Sequence, residues 1–399
     1  MYCSDMTEDA RSRMLAAFER RFGARPQWLV RAPGRVTLLG AHVDYVEGWV
    51  LPGAIDRAVW LAARPARGAA GTVEASDLGE VGELDPLRLP RPLPERTGGE
   101  SGWLDLPRGV AWALAKRCGA LPPLDVVFGS DLPMGAGLSS SAAVEVAFSM
   151  AWEAAAAIDL DGRERAKLGR AVENDYLGVG SGIMDQYASI HGRAGHLLLL
   201  DCRTLEHRHV PMPPGLAVLV ADSGVRRALA ASDYNDRPSE CRQAAELLRR
   251  RLPQVRTLRD VTADDLERYG DVLTPPLMSR ARHAVGECRR VREGAAALEG
   301  DDIEAFGAAM RASHESSRDL YQVSIPELDY LAKTAWSVPG CYGARLSGGG
   351  FGGCVTALVD EEAIGEVARR LEQAFEARFG RPCSSYASRF ADGAALEEL

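Results

Sequence analysis

The stretch that most constrains this chain is "PMGAGLSSSAAVEVA", residues 133 to 147. Gly135 and Gly137 permit a tight loop in which backbone N–H groups converge, and Ser139, Ser140 and Ser141 lead straight into an alanine-rich helical run. A glycine turn feeding the positive end of a helix is a phosphate-binding arrangement, with Ala136 and Leu138 supplying further main-chain donors. One serine is enough to cap the helix, so hydroxyls remain for another task. The loop lacks the Lys-Ser/Thr ending of a Walker loop and does not have the dinucleotide-binding GxGxxG spacing. Any fold for the chain must therefore hold this helix start open to an anion.

Two more glycine-rich stretches ask for the same kind of explanation. "SGGGFGGC" at 347 to 354 spends five glycines in eight residues, a composition that suits close backbone approach and a second wall against the same phosphates. "GVGSGIMDQYAS" at 178 to 189 places Asp185 between apolar Ile183–Met184 and an expected strand. A carboxylate so placed needs a partner, and Arg35 is the candidate. Arg35 opens "RVTLLGAHVDYVEG", where an apolar run is followed by the small Ala41 and the polar His42, Asp44 and Tyr45.

With 399 residues and 46% hydrophobic content the chain can bury substantial cores, and we expect two units, 1–205 and 206–399. A net charge of −9 disfavours a general nucleic-acid binder. No apolar run approaches the roughly eighteen residues of a membrane span, and the first thirty residues lack a signal-peptide core. The eight cysteines form no CxxC pair and read as reduced thiols, so the expectation is a cytoplasmic protein without membrane or nucleic-acid partners. Periodicity predicts helices over the segment ending at Gly23, with Met14, Leu15 and Phe18 inward, over Leu138 to Ala157, and over 161 to 178. It predicts strands at "WLVRAP" and "RVTLLG", separated by a Pro33–Gly34 turn, and at "LAVLVAD" and "CVTALVD".

Taken in order, "GRVTLLGAHVDYVEGWVLPGAI", "PMGAGLSSSAA", "GIMDQYAS", "ASDYNDRPSEC", "SHESSRDLYQVSIPELD" and "ARLSGGGFGGC" resemble the galactokinase branch of the GHMP small-molecule kinases. The resemblance runs from about residue 28 to 355. It implies an α/β protein of mixed sheets with two lobes and an active site in the cleft between them. It also implies transfer of the γ-phosphoryl group of ATP to the anomeric hydroxyl of a small-molecule sugar. Asp185 then matches the catalytic carboxylate and Arg35 the adjacent cation, a pairing suited to accepting a proton while stabilising charge on the transferred group. Gly135 to Ser141 match the phosphate loop, Ser141 and Glu173 the Mg2+ ligands, and His42, Asp44 and Tyr234 the sugar-hydroxyl ligands. Keeping Asp185, Arg35, the serine loop and Glu173 argues against a sugar- and ATP-sensing regulator, and Asp44 and "YNDRPSEC" against a mevalonate or homoserine kinase.

The departures fall in the same segments. Ala41 stands where the family usually carries glutamate, Thr37 where it carries asparagine, and Pro238 where it carries a second arginine. A glutamate facing a C6 carboxylate would repel it by about 1 kcal/mol in water at 4 Å and about 4 at an effective dielectric of 20. Ala41 removes that repulsion, and the "GAH" spelling is similar to that of galacturonokinases. The expectation is therefore a galacto-configured sugar, leaning to galacturonate, with galactose as the alternative and Arg226 and Arg227 as counter-charges.

Overall fold

A computed structural model describes residues 2–92, 102–133, 135–226 and 230–399. The chain begins with α1 (Tyr2–Phe22), whose Met14 and Phe18 pack on Leu29, Trp60 and Ala62 as the helical spacing requires, with Leu15 at the edge. It continues into β1 (Trp28–Leu39), β2 (Trp49–Pro65), β3 (Gly71–Ala75), β4 (Glu80–Leu84), β5 (Leu124–Ser130), β6 (His196–Asp201) and β7 (His207–Pro211). The later strands β8 (Leu216–Asp222), β9 (Cys341–Leu346), β10 (Cys354–Asp360) and β11 (Ser384–Ser388) form a four-stranded antiparallel sheet, ordered β11-β8-β10-β9. The last strand, β12 (Ala395–Glu398), returns to the edge of β1, so the first sheet contains eight strands and is mixed, with β3 parallel to β5. Residue 205 lies in the connection of the β6–β7 hairpin, and the first sheet passes to the second between Pro211 and Leu216.

The expected Pro33–Gly34 turn is not a turn. β1 runs through it, and the register against β2 slips between Pro33 and Arg35. A bulge tolerates a residue that cannot donate to the ladder. Gly34 is needed for approach instead: a Cβ there would lie 2.5 Å from Leu132 Cδ2 and 2.7 Å from the Leu138 carbonyl. The slip turns Arg35, 3% exposed, toward the glycine–serine loop rather than into the sheet's apolar face.

Helices α2 (Asp105–Cys118), α3 (Ser140–Ala156), α4 (Gly162–Ala171) and α5 (Met184–His191) belong to the first half. α3 starts two residues later than its hydrophobic pattern suggests, because Ser139 takes a left-handed φ of 60° at the cap. The helix expected over 161 to 178 stops at Ala171 and widens into a π-turn, Val172–Leu177, ended by Gly178. Asp185 precedes no strand. It sits in the first turn of α5, where the free N–H groups and the helix dipole suit a carboxylate. In the second half, α6 (Ala230–Arg249), α7 (Ala263–Tyr269), α8 (Pro275–Glu299), α9 (Ile303–Ser316), α10 (Pro326–Trp336) and α11 (Ile364–Phe379) surround the smaller sheet. α8 also reaches back, with Val291 and Leu298 packed in the cluster that contains Leu39. No helix among the described residues is long and apolar enough to cross a membrane.

Candidate active site

A cavity of about 670 Å3 opens where β1, the glycine–serine loop, the π-turn, α5, α6 and the β9–β10 loop meet. Its shape begins with Arg35. The guanidinium donates from Nε to Asp185 Oδ1 at 2.8 Å and from Nη2 to Oδ2 at 2.7 Å, a bidentate pair. Its Nη1 donates to the Gly137 carbonyl at 2.7 Å, which ties the pair to the glycine–serine loop. The side chain of Arg35 is 4% exposed and that of Asp185 28%, so the carboxylate is the member that faces the cavity. Ser139 also donates to Asp185 Oδ2, so the hydroxyl of this N-cap residue makes no capping hydrogen bond. Three donors occupy the carboxylate, which leaves about one of its four acceptor positions.

Gly135, Gly137 and Leu138 line the cavity together with Ser139, Ser140 and Ser141, while Ala136 lies buried behind them. Gly135 and Gly137 have φ of 69° and 82°, so glycine is required at both. Gly348 and Gly349 line the opposite side, and a Cβ on Gly353 would meet the Ala136 carbonyl at 2.8 Å. The two glycine loops thus touch, as a double backbone wall demands.

Glu173, on the π-turn, faces Ser141, whose hydroxyl reaches Oε1 at 3.4 Å. Ser181 and Gln186 donate to its other oxygen. Burial raises its carboxyl to about 7, opposed by the Ser181 hydrogen bond and reinforced by Asp185 and Asp44. Asp44 is raised to about 6, by burial first and by Asp185 second. Three mutually repelling carboxylates against one guanidinium suit a cation. One carboxylate and one hydroxyl, with phosphate oxygens completing the shell, is a donor set that fits Mg2+. Among the described residues no cluster of three or more His, Cys, Asp or Glu forms a closed metal cage.

The polar end of the cavity is built by residues 41 to 45. Asp44 accepts from the N–H groups of Tyr45 and Met184, and a Cβ on Gly182 would fall 2.1 Å from its Oδ2. His42 takes a φ of 56°, rare without glycine, and its Nδ1 lies 2.9 Å from Tyr45 Oη. Tyr234, on α6, stands 5.6 Å from the His42 ring and lines the same space. Ala41 lines it too, 3% exposed. Every predicted site residue therefore lies at or directly behind this one cavity.

What the sequence reading missed is the support beneath Ala41. Glu287 on α8 accepts from the N–H of Gly40 at 2.8 Å and of Ala41 at 3.1 Å, and from the Ser313 hydroxyl. His283, one turn earlier, lies 3.1 Å from the Ala41 carbonyl through Nε2 and stacks on Tyr321. A carbonyl only accepts, so Nε2 carries the proton and Nδ1 accepts from Ser316. Burial pushes the Glu287 carboxyl up, but Arg290, His283, Arg345 and Ser313 outweigh it and hold it near 2. Burial lowers His283 to about 4. A trace was present in the sequence: Arg280, His283, Glu287 and Arg290 recur at helical spacing along one face of "RARHAVGECRR". Of the two expected counter-charges near Ala41, the described one is engaged elsewhere. Arg226 forms a bidentate pair with Asp222 at 2.8 Å and packs against Gly135, and residue 227 lies outside the described residues.

Comparison with known proteins gives the class first. The GHMP kinases N terminal domain matches residues 105–193 and the GHMP kinases C terminal domain residues 295–377. The galactokinase galactose-binding signature matches residues 16–65. The galactokinase of Roseiflexus sp. is 45% identical over 376 residues, 94% of each chain, and human galactokinase 40% over 383 residues, 95% of this chain and 94% of its own. The Lactococcus lactis galactokinase complexed with galactose superposes with a TM-score of 0.90 at 31% identity, covering 97% of this chain and 99% of that one. A mevalonate kinase at 19% identity and TM-score 0.62 shares the fold. The chain belongs to the galactokinase family of the GHMP kinases and is a sugar kinase.

Proposed function

We propose that the protein phosphorylates the anomeric hydroxyl of galactose with ATP. The observation that carries this is one cavity lined at once by Asp185, Asp44 and the glycine–serine loop. The galactokinase relatives and the galactose complex support it. In this reading Asp185 uses its remaining acceptor position to hold and deprotonate the C1 hydroxyl. Arg35 fixes Asp185 in place and balances negative charge as it shifts onto the sugar oxygen. Backbone N–H groups from Gly135 to Ser141 cradle the phosphates, while the β9–β10 glycines close the far wall. Asp44, His42 and Tyr234 hold the sugar hydroxyls. Ser141 and Glu173 hold Mg2+, which supplies charge neutralisation on the phosphates. The first half of the chain thus brings most of the chemistry, and the second closes the cleft.

The earlier lean to galacturonate gives way to galactose for two reasons. Arg226, the expected counter-charge, is occupied by Asp222, and the galactokinase relatives and the galactose complex favour the neutral sugar. Ala41 leaves room that water can fill in a galactose complex. Incubation with ATP and galactose should give a 31P resonance of an anomeric phosphate, and 1-deoxygalactose should give none. Phosphate on another carbon, or no transfer to any sugar of the galacto series, would reject the proposal.

A further inference from the structure

A second cavity, about 410 Å3, lies behind the sugar-facing segment, and Asp44 lines both spaces. The partition is the short 3-10 turn Asp44–Val46, together with the loop that carries Gly182 on one side and Ile183 on the other. Charge sets this second cavity apart. Lys167 and Arg170 reach it from α4, Arg242 and Arg249 from α6, and Arg256 from the segment that follows α6. Among the described residues none of these five has a carboxylate within ion-pair distance. Arg249 only donates to the carbonyls of Val255 and Arg256, at 2.7 and 2.8 Å.

The acids of the same wall do not balance them. Glu47 is held by Arg203 at 2.6 Å, and Asp44 is held by two backbone N–H groups. That leaves Glu246 facing five cations, in a chain whose net charge is −9. Three separate elements bring these exposed charges to one concave space, whereas a single arginine-rich helix face would spread them along its own surface. The floor is apolar and aromatic, formed by Ile183, Leu205 and Tyr45. The volume lies within the range of small-ligand sites. Guanidinium forks with an ammonium beside them match a phosphate dianion, and the apolar floor matches a small organic body attached to it.

We infer that this second cavity binds a small organic phosphomonoester and that its occupancy weakens sugar binding across the shared Asp44 wall. The cation cluster does not depend on which sugar the enzyme phosphorylates. The weakening of sugar binding and the choice of a sugar 1-phosphate as probe rest on the proposed function.

The test is calorimetry on the full chain with galactose and a non-hydrolysable ATP analogue saturating the first cavity. Galactose 1-phosphate and inorganic phosphate are titrated in separate arms. The expected result is binding of the sugar phosphate, weakened at least tenfold in Arg170→Ser/Arg242→Ser, with galactose KM of that variant unchanged when no phosphate is present. In the wild type the sugar phosphate should also raise galactose KM by more than it does in Arg170→Ser/Arg242→Ser, where only product binding in the first cavity remains. Both arginines are exposed, so the variant should fold, and Lys167→Glu provides an independent arm. Binding of inorganic phosphate alone would overturn the organic monoester. Absence of binding in both arms, or equal affinity in wild type and variants, would overturn the site. The variants sit outside the first cavity, so their arm remains decisive even if galactose is not the substrate.

Discussion

The glycine–serine loop and the sugar-facing segment meet in one cavity but are built by opposite means. The loop is local: its shape follows from Gly135 and Gly137 at positive φ and from the start of α3 a few residues on. The segment Gly40–Tyr45 is held from far along the chain, by Glu287 and His283 on α8 and by Tyr321, whose hydroxyl lies 2.6 Å from that of Tyr45. A phosphate site needs N–H groups that any backbone supplies once it turns. A sugar site needs side chains fixed against several hydroxyls, and a short loop cannot fix them alone. Arg35 joins the two, with one hydrogen bond to each of the Asp185 oxygens and one to Gly137.

The comparison breaks first at that joint. Asp185→Asn should lower kcat by about 10² to 10⁴ while galactose affinity stays within a few-fold, because proton acceptance is lost while the side chain's size and one acceptor oxygen are kept. Steady-state kinetics with equilibrium sugar binding checks both halves. Gly137→Val should weaken ATP binding at least about a hundredfold, since a branched side chain at a φ of 82° strains the loop and crowds the phosphates. The same variant should leave galactose binding in place, as a locally built loop requires. Unchanged ATP affinity by calorimetry, in a folded variant, would remove the phosphate-loop role.

The remotely built half responds to pH. His283 is fully buried and its pKa is lowered from 6.5 to about 4, so the neutral ring is the folded form. Its contribution is complete above about pH 6.5 and is lost as pH falls toward 4, by roughly 3 kcal/mol for that span. Urea unfolding across this window should show a shallower acid limb in His283→Gln than in wild type, and parallel limbs would contradict the assignment. Smaller still, Glu287→Gln should raise galactose KM by about tenfold with kcat nearly unchanged, because a weaker acceptor loosens Gly40–Ala41 without touching Asp185. An equal loss in kcat would place Glu287 in the chemistry instead.

This contrast also explains what the sequence disclosed. The glycine–serine loop, the helix after it and the buried strands β1, β8 and β10 were legible because glycine, serine and apolar spacing act over a few residues. Arg35 and Asp185 were paired from the need of a carboxylate for a cation. Pro33–Gly34 misled because a bulge and a turn use the same residues, and only packing against Leu132 and Leu138 separates them. Asp185 is expected just before a strand, whereas it lies in the first turn of α5 and the strand that follows, β6, starts only at His196. The clamp under Ala41 was out of reach, since nothing local links residue 41 to residues 283 and 287.

The most direct measurement is therefore the ratio of kcat/KM for galactose over galacturonate, taken with the wild-type enzyme by ADP release. With Arg226 held by Asp222, a galactose preference of at least about tenfold is predicted, a difference of roughly 1.4 kcal/mol. Galacturonate turned over as well as galactose, or better, would contradict the account.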